Sequence, residues 1–130
     1  MILGLGTDIV QIPRIERLLA LHGDRFVRRV ITPNEQEAGQ VRKNNPERYA
    51  AYLAKRFAAK EACVKAMGTG FRKGIRFEHI EIVNDEAGKP VITLYHEAKE
   101  QFATFGNATL HVSLTDDYPI AYAMVLISSR

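Results

Sequence analysis

Apolar residues crowd together at the start of the chain. Ile2, Leu3, Leu5, Ile9, Val10 and Ile12 form an aliphatic, largely β-branched run that predicts a strand over Ile2–Ile12. Pro13 then bars further ladder pairing. The spacing next turns helical, with Ile15, Leu18, Leu19 and Leu21 marking a short amphipathic helix that stops near Gly23. Thr32-Pro33-Asn34-Glu35 has the order of a helix start: a threonine N-cap, a proline in the first turn, and a glutamate to close the capping box. Asn45-Pro46-Glu47 opens a second, longer helix that runs to Met67, with Gly68 as its stop. After the loop Gly68–Gly74, strands follow over Ile80–Val83 and Val91–Leu94, joined through Asp85-Glu86-Ala87-Gly88. A helix over His96–Phe105 leads to a closing hairpin, Leu110–Thr115 with Ile120–Ile127, around Asp116-Asp117-Tyr118-Pro119. Strands at both ends with helices between them predict an α+β sandwich: a mainly antiparallel sheet packed on one long and several short helices. No repeat or linker interrupts the pattern, so residues 1–130 read as a single domain.

Composition narrows the class. The chain is 46% hydrophobic and 25% charged, which is ordinary for a globular protein. A domain of 130 residues buries only about two-thirds of its unfolded surface, so self-association would add stability. The formal charge of +3 suits an anionic partner without choosing one. One cysteine, Cys63, excludes an internal disulfide framework and points to a reducing compartment, and the scattered histidines have no structural zinc spacing. The N-terminus shows no basic leader or cleavage site, and no apolar run approaches the ~20 residues of a membrane span. The cytoplasm is therefore the expected location, with no membrane as partner.

The long helix concentrates the candidate chemistry. At ~100° per residue, Tyr49, Leu53, Phe57, Val64 and Met67 fall on one stripe, expected to face the sheet. Ala54, Ala58, Glu61 and Lys65 form an adjacent strip, where small side chains let a backbone or ligand approach and two charged ones reach past them. Lys60 lies inside the apolar stripe and Arg56 borders it; a cation on a buried face needs an anion or a route to water. Taken alone, Glu61 and Lys65 read equally as an i,i+4 surface pair. Asp8, in the otherwise apolar Gly6-Thr7-Asp8-Ile9-Val10, also needs a cation: either a basic side chain or a hard metal ion. Magnesium typically takes one or two protein carboxylates and fills its shell with water and phosphate oxygens.

Two segments together carry a resemblance. Gly4-Leu5-Gly6-Thr7-Asp8-Ile9 and Arg56-Phe57-Ala58-Ala59-Lys60-Glu61-Ala62-Cys63-Val64-Lys65-Ala66 resemble the paired signature of the phosphopantetheinyl transferases. Gly68-Thr69-Gly70, Asn84-Asp85 with Gly88-Lys89-Pro90, and His111-Val112-Ser113-Leu114-Thr115 match in the same order, so the likeness spans nearly the whole chain. Its length is that of the short, single-copy branch serving acyl carrier proteins.

The resemblance implies a reaction and its parts. A carrier-protein serine attacks the β-phosphate of coenzyme A, adenosine 3',5'-bisphosphate departs, and the holo carrier protein supports fatty acid biosynthesis. Asp8 and Glu61 are expected to hold magnesium, with Lys65 on a phosphate oxygen. Arg48, Arg56, Lys60 and His111 are expected at the nucleotide phosphates, partly across a subunit boundary. Gly68, Thr69 and Gly70 are expected to bring backbone N–H groups near the ligand, although the same residues read as a plain helix C-cap. Gly88-Lys89-Pro90 is equally a hairpin turn. The proton acceptor stays open among Glu61, Asp8 and a water. Arg14, Arg25 and Arg28, with Arg17 and Arg29, form a basic surface expected to dock the acidic carrier protein, chiefly by raising its association rate. Longer members look like two copies in tandem with the site between them, so a single copy is expected to form a homotrimer with interfacial sites. A nucleic-acid-binding domain would use the same arginines, but interleaved exposed aromatics and any Trp are missing. A decayed, nucleotide-binding member is disfavoured because both carboxylates and both motif lysines are present.

Overall fold

The computed structural model describes residues 1–130. In chain order the elements are β1 (Ile2–Gln11), α1 (Ile12–His22), α2 (Asp24–Val30), α3 (Pro33–Gly39), α4 (Pro46–Met67), β2 (Ile80–Asn84), β3 (Pro90–Leu94), α5 (His96–Ala103), β4 (Ala108–Asp117) and β5 (Ile120–Ser129). All strand pairs are antiparallel, and they form two sheets: a three-stranded one in the order β1-β5-β4, and the hairpin β2-β3. The α+β expectation holds, with α4 as the central element between the layers. No helix is long and apolar enough to cross a membrane.

Local chemistry explains the boundaries. Ile12, expected to end the first strand, instead opens α1 together with Pro13, and its side chain is fully buried. Proline's fixed φ suits the first turn of a helix, so it starts one here as well as stopping the strand. Gly23, with φ of +52°, ends α1 and at once serves as the N-cap of α2. The separate helix α2 was not anticipated, and Leu21, grouped with the apolar face, is largely exposed. The Thr32 capping box forms in full with Glu35, and Asn45 caps α4 by accepting from the Arg48 N–H. Gly68 closes α4 in the left-handed region, at φ +76°. The fifth helix ends at Ala103, short of Phe105.

The orientation of α4 departs from expectation. Its large stripe does not face the three-stranded sheet. The Phe57 ring stacks on Phe77 at 5.1 Å, the Tyr52 hydroxyl donates to the Glu35 carbonyl, and Lys60 reaches Glu35, all in the layer of α3, β2 and their connecting turns. The alanine side meets the sheet instead. A Cβ on Gly6 would stand 2.0 Å from the Ala62 carbonyl oxygen, and one on Gly4 would stand 2.1 Å from that of Ala66. Only glycine allows that approach. Helix and strand backbones thus touch where an ordinary interface would interpose two side-chain layers.

Candidate active site

The glycine contact fixes where Asp8 emerges. Gly4, Gly6, Asp8 and Val10 pair with Ile127, Val125, Ala123 and Ala121 of β5, whose side chains are fully buried under α4. Directly paired residues share a face, so Asp8 points to the α4 side at the open end of the glycine contact. Lys65, on the last turn of α4, donates from Nζ to Asp8 Oδ1 at 2.9 Å and to the Thr7 carbonyl at 3.0 Å. Its side chain remains 53% exposed and that of Asp8 17%. Glu61, one turn before Lys65, is half-buried and makes no hydrogen bond or ion pair of its own. Burial, then the neighbouring Asp8 charge, push its carboxyl above the ordinary value, opposed by Lys65 and Arg14. Arg14 lies over the Phe57 ring at 5.4 Å, on the same side of the helix.

Two like charges brought together with oxygens to spare form a site for a cation. Asp8 uses one carboxylate oxygen for Lys65 and Glu61 uses neither for the protein. No third histidine, cysteine or carboxylate joins them. Two hard oxygen donors with room for water and phosphate match the way magnesium is held and do not make a closed structural cage. The residues fit the ion the resemblance implies.

The other expected site residues divide. Lys60 is corrected: it is fully buried, donating from Nζ to Glu35 Oε1 and to the Val30 carbonyl, each at 2.6 Å. Consecutive helix residues point about 100° apart, so Lys60 projects away from its neighbour Glu61, into the interior. Arg56 is also interior, 4.3 Å above the Tyr52 ring, with Nη2 near Asn84 Oδ1 at 3.5 Å and Nε unpartnered. Arg48 is exposed in the first turn of α4, ~20 Å along the helix from Glu61 at 1.5 Å per residue. His111 stands on the opposite face of the sheet from Asp8, bonded through Nε2 to Ser128 Oγ at 2.9 Å. Within one chain these residues do not converge on Asp8 and Glu61.

The Gly68–Gly70 expectation is corrected in part. The Gly68 N–H is taken by the Lys65 carbonyl, and those of Thr69 and Gly70 by that of Val64, so the helix cap consumes all three donors. What remains is open space where side chains would stand at Gly68 and Gly70, and a Thr69 hydroxyl with no partner. Arg25 and Arg28 are exposed on α2, beside a groove of about 300 Å³ lined by Leu18, Phe26, Phe57 and Phe77 with Arg25 and Arg29. The stacked rings Phe57, Phe77 and Phe71 under these arginines were not anticipated. Their sequence separation hid them, since only a shared layer in the fold brings positions 57, 71 and 77 together.

Comparison with known proteins shows the family. A family model described as the 4'-phosphopantetheinyl transferase superfamily matches residues 4–123. The chain is 48% identical over 128 residues to the holo-[acyl-carrier-protein] synthase of Escherichia coli O9:H4 (strain HS), covering 98% of each. Its fold is similar to the crystal structure of the Neisseria meningitidis holo-[acyl-carrier-protein] synthase, with a TM-score of 0.85 and 38% identity over 99% of this chain and 100% of that one. A holo-(acyl-carrier-protein) synthase from Bacillus anthracis, solved in complex with coenzyme A (3',5'-ADP), aligns at a TM-score of 0.81 with 35% identity, covering 100% of this chain and 99% of that one.

Proposed function

Because the chain belongs to the 4'-phosphopantetheinyl transferase superfamily, we propose that its reaction takes place at the Asp8–Glu61 pair. The protein transfers the phosphopantetheine moiety of coenzyme A to apo acyl carrier protein, making holo carrier protein for fatty acid biosynthesis. The observation that carries the placement is the convergence of two acidic side chains with unused oxygens, Asp8 from β1 and Glu61 from α4, beside a largely exposed lysine.

Asp8 and Glu61 hold magnesium, which when bound neutralises charge on the diphosphate and its leaving oxygen. Lys65 keeps Asp8 in place in the free protein and turns its ammonium to a phosphate oxygen when coenzyme A arrives. Its long stem and high exposure permit that exchange. Arg14 adds positive charge on the Glu61 side. Catalysis of this kind is chiefly positioning and electrostatics, since a transferring phosphoryl group asks little covalent chemistry of the protein. Gly68 and Gly70, with open space where side chains would stand, leave room for the pantetheine arm.

Arg48 and His111 meet the nucleotide phosphates from another copy of the chain, in a homotrimer with interfacial sites, whereas Arg56 stays buried over the Tyr52 ring of its own copy. The support is the outer face of the three-stranded sheet. Leu5, Ile9 and Met124 are exposed there next to His111 and Leu126, an apolar face that a monomer would leave in water. The carrier protein docks on Arg25 and Arg28 over the phenylalanine groove, with Arg14 at the inner edge. Buried Cys63, the one cysteine and in no disulfide, is compatible with a cytoplasmic home.

The test is a mass measurement. Apo carrier protein incubated with coenzyme A, magnesium and the enzyme gains one phosphopantetheine. Asp8→Ala and Glu61→Ala proteins, purified and folded, modify it at a small fraction of the parent's rate. Turnover at the parent's rate in either variant would remove the pair from the mechanism.

A further inference from the structure

The interior lysine that does not reach the ligand sits at a junction. Lys60 Nζ donates to the Val30 carbonyl, the last of α2, and to Glu35 Oε1 in the first turn of α3. Glu35 in turn accepts the Thr32 N–H at 2.8 Å on Oε1 and the Ile82 N–H of β2 at 2.9 Å on Oε2. Thr32 Oγ1 donates to Glu81 at 2.6 Å. Both members of the ion pair are fully buried, so neither charge has water to fall back on. The terminal carbonyls of a helix lack intrahelical partners, and Lys60 supplies one for α2 from the middle of α4. The same short helix carries Arg25, Arg28 and Arg29 on its exposed side.

We propose that the Lys60–Glu35 pair is a positioning device: it locks the arginine-bearing helix α2 to the carboxylate-bearing helix α4, and so sets the productive seating of the carrier protein without touching either substrate. Val27 and Val30 anchor α2 by apolar packing, which tolerates sliding, whereas the Lys60 ammonium, held in place by Glu35 of α3, gives α2 one directed hydrogen bond at the Val30 carbonyl that fixes its height along α4. Glu61 follows Lys60 directly, so any shift of this anchor changes the distance from the docking arginines to the metal carboxylates. The inference rests on the docking role given to α2 above.

The test compares three folded variants. In Lys60→Met/Glu35→Gln neither member of the pair is left as a lone buried charge, and the link from α2 to α4 is gone. The KM for carrier protein is expected to rise about tenfold, with coenzyme A affinity unchanged. Thr32→Val weakens the same network without cutting Lys60 from Val30, so its melting temperature falls and its carrier KM does not move. Arg28→Glu raises the carrier KM by itself if α2 docks the carrier; no change there overturns the docking reading. A raised KM in Arg28→Glu with none in the double variant overturns the positioning role alone. Equal changes in Thr32→Val and the double variant reduce the pair to a stability element, which also overturns it. The unmodified protein gives a reading that needs no variant to fold. Amide exchange at Arg28–Ile31 is expected to be as slow as around Lys60, and fast exchange confined to α2 would contradict the lock.

Discussion

Of the three lysine–carboxylate pairs made by α4, two lie on opposite sides of it and behave as opposites. Lys65 meets Asp8 at 2.9 Å with side chains 53% and 17% exposed; Lys60 meets Glu35 at 2.6 Å with both at 0%. An exposed pair gains little, because water and salt compete for each partner. That makes the Lys65–Asp8 contact easy to open for a metal ion and a phosphate. The buried pair has no competitor, and burial draws the Lys60 pKa below the usual lysine value while Glu35 opposes the shift. One pair is a latch at the proposed site, and the other is a rivet through the core. The same residue types do both jobs, and solvent access decides which.

Breaking the rivet should have the largest effect. Lys60→Met leaves the Glu35 carboxylate buried without its cation, at a cost of ~3–5 kcal/mol, to be read from urea unfolding. A loss below ~1 kcal/mol would mean the interior pair is as replaceable as a surface one. On the wet side the effect moves from stability to rate. Asp8→Ala or Glu61→Ala should lower kcat by about two to three orders of magnitude, the scale of losing one preorganised electrostatic group, with little change in melting temperature.

Acidity sharpens the contrast further. The Glu61 carboxyl titrates above its unfolded value, chiefly through burial and next through Asp8, so ionisation opposes folding. The stability tied to Glu61 is fully present below the ordinary carboxylate range and is lost as pH rises through the raised value. Glu61→Gln should therefore melt higher than the parent at neutral pH without metal, and the gap should close as the pH falls. A parent more stable than Glu61→Gln at neutral pH would show that the site carries no such strain. The smallest effect is expected at the latch. Lys65→Met should cost no more than ~1 kcal/mol of stability, in chemical denaturation, although it removes an ion pair of nearly the same length as the buried one.

The sequence pattern carried these two regions unequally. The carboxylate site was legible because Asp8 stands alone in an apolar strand and Glu61 and Lys65 share a helix strip, and the resemblance joined the two segments. The glycine–alanine contact that brings them together was half legible. Ala58 marked a strip open to close approach, but which layer it faced depends on Gly4 and Gly6 meeting Ala62 and Ala66 across the fold. Lys60 was visible as a cation needing an anion; its partner was not, because Glu35 already had a local role closing the capping box of α3. Glu35 performs both roles with one carboxylate, and periodicity registers only the local one. The arginines expected to dock the carrier protein stood out in the sequence, and Arg14 also opposes the raised pKa of Glu61. The break at Gly23 that makes α2 a separate helix depends on a positive φ, which composition alone does not reveal.

The central claim is that a divalent cation sits between Asp8 and Glu61 beside the diphosphate of coenzyme A. Crystals grown with coenzyme A and manganese, measured at the manganese absorption edge, give the most direct answer. A single anomalous peak bonded to oxygens of both carboxylates and to the diphosphate is the predicted result. Coenzyme A bound with the peak elsewhere, or with the two carboxylates turned apart, would contradict it.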